Sequence, residues 1–203
     1  MLMKSRLSMR KEDGKMNVGV LSFQGGVIEH LKQIKELGHY GIEVKKEEDL
    51  NNIDAIILPG GESTTIGRLL NVTGLMEPLK EKIKSGLPTW GTCAGMILLA
   101  KEIENDDRRH LGLMDIKVKR NAFGSQIDSF TTRKVINVVS PKELELVFIR
   151  APYITEVEDN IEVLCTVDNN IVGVRQDNMI ATSFHPELTD DTAFLKYFLG
   201  EVC

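Results

Sequence analysis

The sequence predicts an α/β fold whose first half builds a parallel sheet and whose second half adds antiparallel strands. Three observations carry this expectation. Extended apolar runs alternate with segments of helical spacing between residues 16 and 100. The later runs are short and β-rich, with Asn, Asp, Gly or Pro between several of them. Glycine-rich turns also follow two of the early apolar runs directly, where an open parallel sheet gathers its ligands.

Taken in order, residues 16–23 (MNVGVLSF) read as a first strand. Val27, Ile28, Leu31, Ile34 and Leu37 then recur at helical spacing, and Gly38 supplies a C-terminal cap. A short strand over 42–44 and an acidic connector lead to the buried run 53–58, which ends abruptly in PGGESTT. Helices are expected over 65–70 and 77–84, a further strand over 87–90, and another helix over 94–100. Strands are expected over 113–119, 135–139, 146–149, 161–166, 171–175 and 179–184. Asp168-Asn169-Asn170 looks like a hairpin turn. The tail, 190–202, returns to helical spacing with Asp190 and Asp191 at its start. No internal repeat or Pro/Gly/Ser-rich linker divides the chain, so residues 16–203 read as one domain. Residues 1–15 (MLMKSRLSMRKEDGK) read as a flexible leader without the apolar segment of a secretory signal.

Composition narrows the function. A chain of 203 residues with 42% hydrophobic and 27% charged side chains builds its own core without disulfide or metal staples. Lys plus Arg number 25 against 30 Asp plus Glu, a net charge of -5, so the basic surplus of a nucleic-acid binder is missing. The best local candidate, Lys117-Val118-Lys119-Arg120, alternates like a strand with one wet face. No apolar run approaches the ~18 residues of a membrane span. Cys93, Cys165 and Cys203 are odd in number and widely spaced, which favours a reducing, cytoplasmic setting. The sequon at Asn71 then carries no meaning. No feature requires a metal or a cofactor.

The most specific local signal is Gly91-Thr92-Cys93-Ala94-Gly95, a G-x-C-x-G elbow between a strand and a helix. The two glycines let the backbone turn tightly, and the start of a helix favours a thiolate. The Ala94 N–H is a candidate oxyanion donor. Of the four histidines, His30 falls in the first helix, His39 in the turn after it, and His110 follows the charged stretch Asn105-Asp106-Asp107-Arg108-Arg109, which reads as a solvated loop. His185 differs, because it ends an apolar strand in Ser183-Phe184-His185-Pro186-Glu187. If that stretch is extended, His185 and Glu187 project to the same side and the carboxylate orients the imidazole. A Cys93–His185–Glu187 triad follows. Gly60 and Gly61 bring backbone close to a ligand, and Glu62 offers a carboxylate to an ammonium group. The missing Lys excludes a Walker loop.

LPGGEST (58–64), GTCAG (91–95), RNAFG (120–124), FIRAPYI (148–154) and TSFHPELTDD (182–191) together resemble the class I, triad-type glutamine amidotransferases. Within them the resemblance is strongest to the glutaminase subunits of pyridoxal 5'-phosphate synthase, and it runs from Met16 nearly to the end. GTCAG and the HPE step identify only the broad class, whereas PGGEST, RNAFG and IRAPYI are particular to the vitamin B6 branch. The resemblance implies a three-layer flavodoxin-like domain. It implies that Cys93 attacks the side-chain amide of L-glutamine, that His185 shuttles the proton and that Glu187 orients it. Gly60, Gly61, Glu62, Arg120, Ile149 and Arg150 fall on the family's glutamine-binding positions, and Gly61 and Ala94 on its oxyanion donors. The implied partner is the synthase subunit of a hetero-oligomeric complex, which would take the ammonia; this chain would bind neither sugar phosphate. Two departures stand out. Ser125 occupies a position where the family often has Arg, and the first loop reads QGGVIEH where QGA-x-x-EH is usual, the extra glycine loosening the helix start. Gln24 and its neighbours lie on the family's synthase-facing surface.

Other readings are an amidotransferase subunit feeding another pathway, a Cys-dependent peptidase or deglycase on a similar scaffold, and a binding module. PGGEST combined with a C-terminal HPE argues against the peptidase, and the full set of triad residues against the binding module.

Overall fold

The computed structural model describes residues 14–121 and 129–203. The first half alternates as expected: β1 (Asn17–Leu21), α1 (Val27–Glu36), β2 (Tyr40–Val44), β3 (Ala55–Leu58), α2 (Ser63–Val72), α3 (Met76–Lys84), β4 (Thr89–Thr92) and α4 (Ala94–Leu99). A 3-10 turn, Glu47–Asn52, fills the acidic connector. The second half contains β5 (Ala100–Ile103), β6 (Met114–Lys119), β7 (Ser129–Ile136), β8 (Ser140–Ile149), β9 (Tyr153–Val157), β10 (Glu162–Val167), β11 (Asn170–Gln176), β12 (Met179–Thr182) and α5 (Ala193–Tyr197). A π-helical turn, Phe198–Val202, follows α5.

Among the described residues, the main sheet runs in the order β2-β1-β3-β4-β12-β11-β9-β6-β5, with β10 paired on β11. From β2 to β12 every pairing is parallel. From β12 through β11 and β9 to β6 the pairings are antiparallel. The mixed α/β fold, mostly parallel with antiparallel additions, is therefore the one the sequence predicts. Ala55 and Ile57 point into one core while Ile56 and Leu58 point into the other, as the two-residue period of a strand requires. The first core takes Ile34 of α1 and Phe194 and Leu195 of α5. The second takes Ile66 and Leu70 of α2, Leu79 and Ile83 of α3, and the apolar run of α4. Helices thus cover both faces in three layers.

Several boundaries differ from expectation. The helix after the elbow stops at Leu99, and Ala100 opens β5, a short edge strand with only two apolar residues to announce it. The strand expected over 135–139 ends at Ile136, because residues 137–139 form the turn into β8. β9 is not signalled by any clear alternation. The β7–β8 hairpin stands apart from the main sheet and packs Ile136, Leu144, Leu146 and Phe148 onto the α1/α5 side. Asp168 (φ 48°) and Asn169 (φ 65°) are both left-handed, as a two-residue type I′ hairpin demands. Lys117 and Lys119 alternate with buried Val118, so that basic stretch is a strand with one wet face. No described helix is long and apolar enough to cross a membrane.

Candidate active site

The carboxyl ends of the parallel strands build the site. Cys93 follows β4 at φ 49° and ψ -104°, a conformation that L-residues adopt only at a cost of order 1–3 kcal/mol. The surrounding structure enforces it. The Cys93 N–H donates to the Thr182 carbonyl at 2.7 Å, continuing the parallel ladder between β4 and β12. The glycines on either side are spatial necessities. A Cβ on Gly95 would stand 2.0 Å from the Leu58 carbonyl oxygen, and one on Gly91 would stand 2.5 Å from the backbone of Gly95. The thiol is 7% exposed and lies 3.9 Å from the Ile149 carbonyl oxygen.

His185 sits beyond the end of β12, its N–H donating to the Val147 carbonyl of β8 at 2.8 Å. The separate hairpin therefore fixes the histidine backbone, and β8 ends at Ile149 beside the thiol. The stretch after His185 is not extended as the sequence suggested. Pro186–Leu188 is a 3-10 turn, since the proline suits the first position of a helical turn. That turn, and not strand alternation, brings Glu187 back, so that His185 Nδ1 meets Glu187 Oε1 at 2.8 Å. Burial alone would lower the His185 imidazole. Hydrogen bonds to the Cys93 sulfur and the Glu187 carboxylate, with the charges of both, push it up to about 10. Burial tends to raise Glu187, but its bond to His185 and the neighbouring histidine charges hold it below the usual carboxylate range. Gly60 packs behind this pair, and a Cβ there would meet His185 Cε1 at 2.4 Å.

These groups open onto a cavity of about 610 Å³ lined by Gly61, Glu62, Cys93, Arg120, Arg150 and His185 among others. Ala94, Ile149 and Gln24 also reach it, whereas Gly60 contributes no lining surface. Gly61 has φ 135°, and Gln24 braces the loop by accepting the Glu62 N–H on Oε1 at 3.0 Å. Glu62 caps α2: its carboxylate accepts from the Thr65 N–H at 3.1 Å and from the Thr64 hydroxyl. The Thr64 hydrogen bond leads the set that keeps Glu62 below its ordinary range. Arg150 adopts φ 43° at the rim. Ala122, Phe123 and Gly124 of the RNAFG motif, and Ser125, lie outside the described residues.

Three supports were not singled out by the sequence. Asp106, placed there in a solvated charged stretch, accepts from Arg108 at 2.7 Å and meets Arg120 Nη2 at 3.0 Å, so it tethers a cavity-lining guanidinium. Hydrogen bonds from Arg108 hold its carboxyl far below the usual range. Gln33 of α1 donates from Nε2 to the Thr189 carbonyl at 2.9 Å and the Pro186 carbonyl at 3.2 Å, gripping the 3-10 turn. His30, with no solvent exposure, faces Glu187. The i, i+3 spacing of His30 and Gln33 on one helix face was the only available signal. Gly26 also does more than loosen the helix start, because a Cβ there would stand 2.8 Å from Glu187 Cγ. Among the described residues no group of three His, Cys, Asp or Glu side chains is placed to hold a metal ion.

Comparison with known proteins agrees with this architecture. The chain is 73% identical over 184 residues to the pyridoxal 5'-phosphate synthase subunit PdxT of Clostridium beijerinckii, spanning 91% of this chain and 97% of the relative. It is 59% identical over 185 residues to the protein of the same name from Clostridium kluyveri, spanning 91% and 98%. A crystal structure of a glutamine amidotransferase superposes with a TM-score of 0.85 at 42% identity, over 90% of this chain and 96% of that one. The model of the SNO glutamine amidotransferase family matches residues 20–203, and this chain belongs to that family.

Proposed function

We propose that this chain is the glutamine-hydrolysing subunit of a pyridoxal 5'-phosphate synthase, with Cys93 as nucleophile, His185 as proton carrier and Glu187 as its orienting partner. The observation that carries this reading is the strained, sheltered thiol beside an imidazole that a buried carboxylate holds in place. In this scheme the Cys93 thiol passes its proton to the His185 imidazole as its sulfur attacks the side-chain carbonyl carbon of L-glutamine. The carbonyl π electrons move to oxygen, and the oxyanion accepts from the Gly61 and Ala94 N–H groups. Loss of one such donor typically raises a barrier by ~2.7–4 kcal/mol. The tetrahedral intermediate collapses, the C–N bond breaks, and His185 protonates the departing ammonia. Water then attacks the glutamyl thioester with His185 as base, releasing glutamate and restoring the thiol.

Glutamine binding falls to Gly61, Glu62, Arg120, Ile149 and Arg150, which line the cavity, with Gly60 behind them against His185. The two arginines present cationic groups suited to the α-carboxylate, and Glu62 a carboxylate suited to the α-ammonium group. Because Asp106 anchors Arg120, Asp106→Ala is expected to raise the KM for glutamine severalfold while leaving kcat nearly unchanged. Steady-state kinetics check this, and an unchanged KM would separate Arg120 from substrate binding.

The relatives' name, that of one subunit of a synthase, supports a second synthase subunit as partner; in this reading that subunit takes the ammonia, and the complex works in the cytoplasm. The functional unit is residues 16–203, with residues 1–15 ahead of it as a leader. The Gly60-Gly61 loop is suited to a peptide flip that completes the oxyanion hole when the synthase docks. The purified chain alone is therefore expected to hydrolyse glutamine poorly, and added synthase subunit to stimulate glutamate release strongly. Hydrolysis without stimulation would keep the amidotransferase and point to another acceptor. No hydrolysis in either case would overturn the reading.

A further inference from the structure

We propose that His30 is a positioning residue for the reaction: from α1 it holds the outer oxygen of Glu187, so that the inner oxygen keeps His185 aligned on Cys93. The inference deepens the functional reading above and rests on it.

The geometry is specific. Glu187 divides its two oxygens between two histidines, with Oε1 at 2.8 Å from His185 Nδ1 and Oε2 at 3.5 Å from His30 Nε2. The Glu187 side chain is 1% exposed and the His30 side chain fully buried, so the outer position is sheltered from bulk solvent. Neither His30 nitrogen nor Glu187 Oε2 has a hydrogen-bond partner among the described residues, and the 3.5 Å approach of Nε2 to Oε2 is the polar contact the two share. Leaving a buried carboxylate oxygen unmatched is unfavourable, and His30 is the donor aimed at it. Polar contacts in unliganded sites are often long and tighten when substrate arrives.

α1 is shaped as a platform for this purpose. Gly26, His30 and Gln33 succeed one another along one face at i, i+4 and i+7. Gly26 offers bare backbone against the Glu187 stem, His30 meets the carboxylate, and Gln33 grips the carbonyls of Pro186 and Thr189. The His30 ring is fixed from its other side by Trp90, edge-on at a centroid distance of 6.1 Å and an interplanar angle of 72°. The charged and titratable groups acting on the ring are Glu187, His185 and Glu29, and burial outweighs them to favour the neutral imidazole. A neutral ring with its proton on Nε2 donates to Oε2 without placing a second cation beside His185.

The test uses the full chain together with the synthase subunit, measuring glutamate release from glutamine. His30→Phe keeps an aromatic ring against Trp90 but removes both nitrogens, and His30→Gln restores an N–H donor. His30→Phe is expected to lower kcat about tenfold with KM for glutamine unchanged, and His30→Gln to recover most of the loss. Thermal unfolding of each variant separates misfolding from misalignment, and His30→Leu replaces the Phe variant if that one does not fold. Wild-type kcat in the variant without nitrogens would overturn the proposal, as would equal impairment of both variants. An inactive wild-type complex would instead refute the amidotransferase reading, and the role of His30 with it.

Discussion

Replacing Cys93 by Ala is expected to reduce glutamate release by a factor of about 10⁴ or more, the scale seen when a covalent nucleophile is removed. The fold should survive. The substitution deletes one sulfur atom at the edge of an open cavity, and alanine inherits the same left-handed backbone that Gly91, Gly95 and the ladder to Thr182 already enforce. Circular dichroism and association with the synthase subunit should therefore match the wild type. The other two cysteines serve as controls. Cys165 is buried on β10, where burial pushes its thiol up to about 11, and Cys203 is exposed at the chain end. Neither reaches the cavity, so Cys165→Ala and Cys203→Ala should retain nearly full turnover. Equal loss in all three variants would show that oxidation or misfolding, and not nucleophilic chemistry, explains the result.

The largest effect on stability is expected from Trp90→Ala, a loss of about 3–5 kcal/mol. In a chain of this size that corresponds to a Tm lower by roughly 10 °C. Trp90 lies on β4 with no solvent exposure, directly before the elbow. Its ring stacks on Phe194 at 6.0 Å, meets Phe198 at 5.7 Å and faces the edge of His30. The indole N–H donates to the Thr182 hydroxyl at 3.1 Å, which is itself buried and would lose its donor. Aromatic contacts of this kind exceed what area alone contributes, and the space they leave in a strand-and-helix core collapses poorly. Trp90→Phe should lose clearly less, because a ring remains against α5. Chemical denaturation measures both, and a Trp90→Ala loss below about 1 kcal/mol would mean that the site relaxes around the cavity.

Much of the architecture was legible because its signals are local. The parallel half declares itself through apolar runs followed by glycine, and the elbow through two glycines around a cysteine. The hairpin at Asp168-Asn169 was readable for the same reason, since two left-handed residues suit few side chains. β5 and β9 went unread for different reasons: β5 is a four-residue edge strand with two apolar residues, and β9 takes its place against β6, which lies much earlier in the chain. The proximity of His185 and Glu187 was anticipated, but through an extended stretch. The actual cause is the 3-10 turn that Pro186 begins. Asp106 shows the converse: in the sequence it belongs to a solvated charge run, and in the fold it anchors Arg120.

By itself, then, the sequence determined the fold class, the first four parallel strands, the elbow and the side chains with the right chemistry. Each depends on residues a few positions apart, where φ preference, hydrophobic period and turn chemistry act directly. The tertiary structure alone decided how α1 supports the site. Gln33 and the carbonyl of Pro186 lie 153 positions apart, and they meet only because β1 and β12 enter the same sheet with α1 packed beside the turn that follows β12. No local pattern encodes that meeting. It follows from strand order and close packing, which turn a buried histidine and a buried glutamine on one helix face into neighbours of the Glu187 carboxylate.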